Sequence, residues 1–152
     1  MIALLALLAA LPSASFAADT SGCSQMVERT LHATTSGGNL LTATYAHAPR
    51  ENCWNANQAS LTLAYRFSSA ERAAEVALWV NLNGKAQTLP ARLSCTDAQS
   101  GMQKDTNNQR RFACFAIVVL PAVLGAQSLE VAPSVNGAFD TRGYGENASF
   151  QF

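Results

Sequence analysis

The chain has 152 residues, ten basic and ten acidic, with zero net charge and only 13% charged residues. That balance excludes electrostatic attraction to nucleic acid or to an anionic membrane face. The length suits one domain whose core can hold without cross-links.

Residues 1–17 are uncharged and apolar. Ile2, Leu4, Leu5, Leu7, Leu8 and Leu11 lie among alanines, before Pro12 and the small-residue stretch Ser15-Phe16-Ala17. The pattern predicts a secretory signal peptide over 1–17 and a single domain over 18–152, although no Lys or Arg precedes the apolar run. An uncleaved anchor is the competing reading. A spanning helix needs about 20 apolar residues, and this run breaks at Pro12. Once the signal is cleaved no membrane span is expected, because the longest later apolar run, Phe112 to Leu124, is interrupted by Pro121. The expected location is periplasmic or secreted, in a bacterium.

Export puts Cys23, Cys53, Cys95 and Cys114 where thiols oxidise. Of the three possible pairings, Cys23–Cys53 and Cys95–Cys114 are expected, since each brackets one local unit. The cysteines lack Cys-x-x-Cys spacing and both histidines lie away from them, so neither a metal nor any other cofactor is expected.

Along the rest of the chain the apolar period is two. Leu41, Ala43, Tyr45 and His47 alternate with Thr42, Thr44 and Ala46. Leu61, Leu63, Tyr65 and Phe67 repeat the pattern against Thr62, Ala64 and Arg66. These read as strands with one buried and one wet face. Ser68 and Glu71 make a capping box, which predicts a short helical turn at 69–74. Val76, Leu78, Val80 and Leu82 begin the next strand. Asn83-Gly84 then predicts a type I′ hairpin into a strand over 86–95, with Pro90 marking an edge or a bulge.

Asp97 to Arg111 is polar throughout and reads as a long loop, its neck closed by Cys95 and Cys114. Phe112 to Leu120, apolar on both faces, predicts a central strand. Ser128 to Val135 predicts another strand, and Phe150 and Phe152 share a face of the last one. About eight strands joined by short turns predict an all-β fold, an antiparallel β-sandwich. An eight-stranded outer-membrane barrel ending in Phe152 is the alternative architecture.

Enzyme machinery is thin. No Gly-x-Ser-x-Gly elbow, phosphate loop or His-Glu-x-x-His occurs. His32 and His47 read as structural, and nothing singles out a carboxylate pair for glycoside hydrolysis. The aromatic residues say more. Trp79 sits on the polar face of its strand, where it either stacks on a neighbour or stands open as a platform. Trp54 lies among Asn52, Asn55 and Asn57. Flat aromatic faces meet the C–H faces of a pyranose, and planar amides exchange hydrogen bonds with hydroxyl pairs.

The C-terminal stretch Phe112 to Pro121, then Leu129-Glu130-Val131, then Asn136-Gly-Ala-Phe-Asp-Thr-Arg-Gly-Tyr-Gly-Glu-Asn-Ala-Ser-Phe150, resembles the end of starch- and glycogen-binding carbohydrate modules. Those modules are immunoglobulin-like sandwiches closing with Trp-Asp-Asn-Asn, a glycine and Asn-Tyr before the last strand. The resemblance implies that Phe139 replaces the Trp, Asp140 the Asp, Gly143 the glycine and Asn147 the later Asn. Thr141 and Arg142 replace the paired Asn, and Tyr144-Gly145-Glu146 lengthens the turn. The resulting candidate ligand-binding residues are Trp79, Trp54, Phe139, Asp140, Tyr144 and Asn147. The first expectation is a non-catalytic binding domain for a neutral polysaccharide. The second is an interaction or inhibitor module that offers the 97–111 loop to another exported protein. A hydrolase comes third.

Overall fold

The computed structural model describes residues 22–49, 53–97, 111–122, 124–125 and 127–152. The expected signal segment 1–17 and the bulk of the 97–111 loop lie outside the described residues.

The described chain folds as strands β1 (Val27–Thr34), β2 (Leu40–His47), β3 (Ala59–Ser69), β4 (Val76–Leu82), β5 (Lys85–Pro90), β6 (Arg92–Asp97), β7 (Phe112–Pro121), β8 (Ser128–Val135), β9 (Ala138–Phe139) and β10 (Ala148–Gln151). One sheet runs β1-β2-β3-β7-β6. The other runs β10-β8-β4-β5, with β9 also paired to β8. All pairings are antiparallel. The order β2-β3-β7-β6 facing β5-β4-β8-β10 is the A-B-E-D and C′-C-F-G arrangement of an immunoglobulin-like sandwich. β1 is an extra strand beside β2. Two separate sheets with free edges are not a closed barrel.

The core follows from the period-two pattern. Leu41, Ala43 and Tyr45 of β2, Leu61, Leu63, Tyr65 and Phe67 of β3, and Ala116, Val118 and Leu120 of β7 point inward. They meet Val76, Leu78 and Val80 of β4, Leu129 and Val131 of β8, and Ala148 and Phe150 of β10. Phe152 closes one end against Tyr45, with 5.7 Å between ring centroids.

Both expected disulfides are present, and among the described residues no cysteine is free. Cys95 and Cys114 are direct cross-strand partners on β6 and β7, 4.1 Å apart at Cα, the spacing of a narrow non-hydrogen-bonded pair. Cys23–Cys53 ties the segment before β1 to the loop after β2. Two such cross-links suit an oxidising, extracellular environment. Among the described residues, no helix is long and apolar enough to cross a membrane.

Three expectations need correction. Among the described residues there are ten strands, two more than the eight or so expected. The helical turn at 69–74 does not form. Asn136 Oδ1 instead accepts the backbone N–H groups of Ala74 and Glu75, both at 3.1 Å, and the side chain of Ala73 is buried. A tertiary acceptor thus takes donors that a helix would need. The strand expected over 86–95 is two strands in different sheets. It breaks at Pro90-Ala91, where Ala91 N–H still reaches Val76 O on β4 at 2.9 Å before β6 joins β7. Pro90 ends edge strand β5, where its missing N–H leaves no ladder partner waiting.

Asn83 and Gly84 have φ of 51° and 83°, as a type I′ turn requires. A second such pair, Asn136 and Gly137 at 49° and 84°, joins β8 to β9. Pro133 stands in the middle of β8, normally a forbidden place. Its carbonyl accepts Asp140 N–H at 2.8 Å, on the side away from β4. The N and C=O of one strand residue point the same way, so the absent N–H removes nothing from the β4 ladder.

Candidate functional site

The outer face of the β10-β8-β4-β5 sheet carries a row of small and large side chains. Trp79 of β4 is opposite Ala132 of β8, and opposite Thr88 of β5 on its other side. Ala132 is small and buried, so it forms a floor. Phe139 stands one row away, paired with Ser134. Asn147 precedes Ala148, whose partner is Val131, so it stands beside Ala132. Between β9 and β10 the chain rises over the sheet through Thr141 and a 3-10 turn at Gly143–Gly145, which a bridge between Arg142 and Glu146 closes.

The result is an open groove of about 300 Å³ lined by Trp79, Ala132, Phe139, Thr141, Gly145 and Asn147. Trp79 is half-buried, whereas Phe139 is 62% exposed. None of the six residues is charged. Two rings, one amide and one hydroxyl converge on a short apolar floor. Such a surface offers C–H contact and neutral hydrogen bonds, with no group poised for acid–base or nucleophilic work. Among the described residues, no cluster of His, Cys, Asp or Glu is arranged to hold a metal ion.

Of the sequence-derived candidates, Trp79, Phe139 and Asn147 come together in this groove. The Tyr144 side chain lies outside the described residues, though its backbone forms the 3-10 turn. Trp54 is elsewhere. It is 73% exposed on the loop after β2, at the end of the sandwich where β1 begins. Its neighbour Asn55 is buried, with its Nδ2 donating to Cys23 O at 3.1 Å, so that amide serves the fold. The groove and Trp54 therefore make two separate surfaces.

Asp140 belongs to neither. It lies between Phe139 and Thr141, and strand alternation turns it inward, away from the groove. Its carboxylate accepts from Thr35 Oγ1 at 2.6 Å, Asn39 Nδ2 at 2.7 Å, Gly37 N–H at 3.2 Å and the Tyr65 hydroxyl. The Ser36 N–H adds a 2.7 Å bond to Thr141 O. One carboxylate thus ties the loop between β1 and β2, strand β3 and the chain leaving β9. Burial acts to raise the Asp140 carboxyl, but the hydrogen bonds from Thr35, Tyr65, Asn39 and Gly37 outweigh it and hold the group below its ordinary value. The Tyr65 hydroxyl is pushed well above its usual range, first by burial and then by its bond to the Asp140 charge.

The residues sequence reasoning missed are Ala132, Thr141 and Gly145 in the groove and Thr35, Asn39 and Tyr65 around Asp140. Tyr65 carried a signal: a core-facing tyrosine needs a partner for its hydroxyl. His47 Nδ1 pairs with Ala48 O at 2.7 Å and His32 Nδ1 with Thr42 Oγ1 at 3.1 Å.

Fold and groove together define an immunoglobulin-like β-sandwich, cross-linked twice, with an open uncharged groove on one sheet. No protein-family model, curated protein or solved structure matches the chain.

Proposed function

We propose that this is an exported, non-catalytic binding domain, periplasmic or secreted after loss of residues 1–17, whose groove takes a neutral carbohydrate polymer. The observation that carries the reading is the convergence of Trp79, Phe139, Thr141 and Asn147 over Ala132 with no charged side chain among the lining residues. Aromatic faces supply stacking for pyranose rings, and the amide and hydroxyl supply directional bonds to sugar hydroxyls. A groove of this volume lies at the small end of ligand sites, which suits one or two rings of a chain entering and leaving the open trough. The likeness of the 136–150 segment to starch- and glycogen-binding modules supports the same ligand class.

Titration of Trp79 fluorescence in a Trp54→Phe background, with soluble α- and β-glucans and cell-wall glycans, tests the reading. A saturable change that Phe139→Ala and Asn147→Ala abolish is expected. A flat response across the panel overturns it.

A second reading has one observation in its favour. The Cys95–Cys114 cross-link joins β6 to β7, the two strands that residues 97–111 connect in sequence. An interaction or inhibitor module would offer that segment to a partner. Deleting 99–109 should then remove binding partners while leaving the glucan titration intact.

A further inference from the structure

The groove's outer wall is the chain from Ala138 to Asn147, and this wall has little sheet of its own. β9 is two residues long, and beyond it only Asp140 N–H continues the ladder to Pro133 O. The wall is held from behind. Phe139 and Thr141 face the groove, and Asp140, between them, faces four donors carried by the opposite sheet and its β1–β2 loop. Each of those donors stays clear of the groove. Gly37 is pressed against this junction: a Cβ there would come within 3.2 Å of an Asp140 carboxylate oxygen and 2.9 Å of Asn39 Nδ2. The approach of loop to carboxylate is therefore close-fitting.

We propose that Asp140, held by Thr35, Asn39, Gly37 and Tyr65, is the positioning residue of the groove, so that affinity for its ligand is set by residues of the other sheet that never touch that ligand. The inference rests on the groove being the ligand site. Physically, a wall with two ladder residues would fray on its own. Charge-assisted hydrogen bonds fix it because the carboxylate collects four donors, three of them partly withdrawn from water. Holding Phe139 in place before the ligand arrives removes an ordering cost from binding.

The test uses the full mature chain and three clamp variants. Tyr65→Phe removes one donor at constant volume. Thr35→Val removes another with its shape kept. Asp140→Asn replaces the acceptor. Val118→Ala, a buried position on β7 that lines no part of the groove and bonds to no clamp residue, serves as a control for destabilisation alone. Amide hydrogen exchange over 139–147, acrylamide quenching of Trp79 in the Trp54→Phe background, and glucan affinity are read for each. Tyr65→Phe and Thr35→Val should speed exchange of 139–147 by about tenfold each, the factor for one hydrogen bond to a charged group, and weaken glucan binding by a similar factor. Val118→Ala should leave both unchanged. Unchanged exchange and affinity in Tyr65→Phe and Thr35→Val overturn the proposal, as does an equal change in Val118→Ala. Should Asp140→Asn fail to fold, the other two variants decide alone. A wild-type chain that binds no glucan sinks the carbohydrate reading, and the exchange data then decide the clamp by themselves.

Discussion

Two loosely laddered segments, one at each end of the sandwich, are stapled by different chemistry. Where β1 begins, Cys23–Cys53 joins the incoming chain to the loop after β2, and Asn55 reinforces it through Cys23 O. At the other end a single carboxylate, Asp140, gathers the β1–β2 loop, β3 and the chain after β9. Both devices tie down segments with few ladder bonds. The covalent staple acts by restricting the unfolded chain, and its strength ignores pH. The polar staple acts only in the folded state, through a charge whose donors must all be present at once. Its failure therefore reaches the groove wall, whereas failure of the disulfide loosens a loop far from the groove.

Replacing Cys23 and Cys53 together by Ser should lower stability by about 3–4 kcal/mol, for a closed loop of 30 residues in sequence separation. Urea unfolding measures it, and fluorescence of Trp79 in the folded state should not move. Asp140→Asn should cost about 2–3 kcal/mol, since it removes a charged acceptor and sets an amide donor against the surrounding donors. Unlike the cysteine variant, it should expose Trp79 to quencher. Tyr65→Phe should cost about 1.5 kcal/mol by loss of one bond to a charged group.

The smallest effect is in pH. The folded-state pKa of Asp140 is depressed, so its contribution is fully present above the ordinary carboxylate value of about 4 and is lost as pH falls through the lower folded value. Thermal unfolding of the wild type should decline on acidification below that point more steeply than that of Asp140→Asn. The Cys23/Cys53 variant should keep the wild-type slope. Parallel curves for wild type and Asp140→Asn would show that the carboxylate is not the acid-sensitive staple.

The Cys23–Cys53 staple was legible because four cysteines without metal-ligand spacing have few uses, and each pair brackets a local unit. The polar end was only half legible. Asp140 stood out by its place in a glycine-rich closing segment, and read as a ligand-binding residue. Its inward direction depends on Phe139 pairing with Ser134, a register that no local pattern declares. Thr35 and Asn39 look like ordinary turn residues until Asp140, 105 and 101 positions away, supplies their partner. Likewise the capture of Ala74 and Glu75 by Asn136, which unmade the expected helical turn, is a tertiary event.

The amino-acid order alone determined the alternation of buried and wet residues, the Asn83-Gly84 turn, the paired cysteines and the charge-poor surface. Alternation and turns are properties of neighbours within a few residues, the cysteine pairs bracket units with sequence separations of 30 and 19, and the charge follows from composition. Only the folded arrangement decided that a strand would leave one sheet for the other at Pro90-Ala91, that Trp79, Phe139 and Asn147 would meet over Ala132, and that Asp140 would face away from them. Those outcomes depend on which strands pair and in what register, and that choice is made by packing the whole core at once.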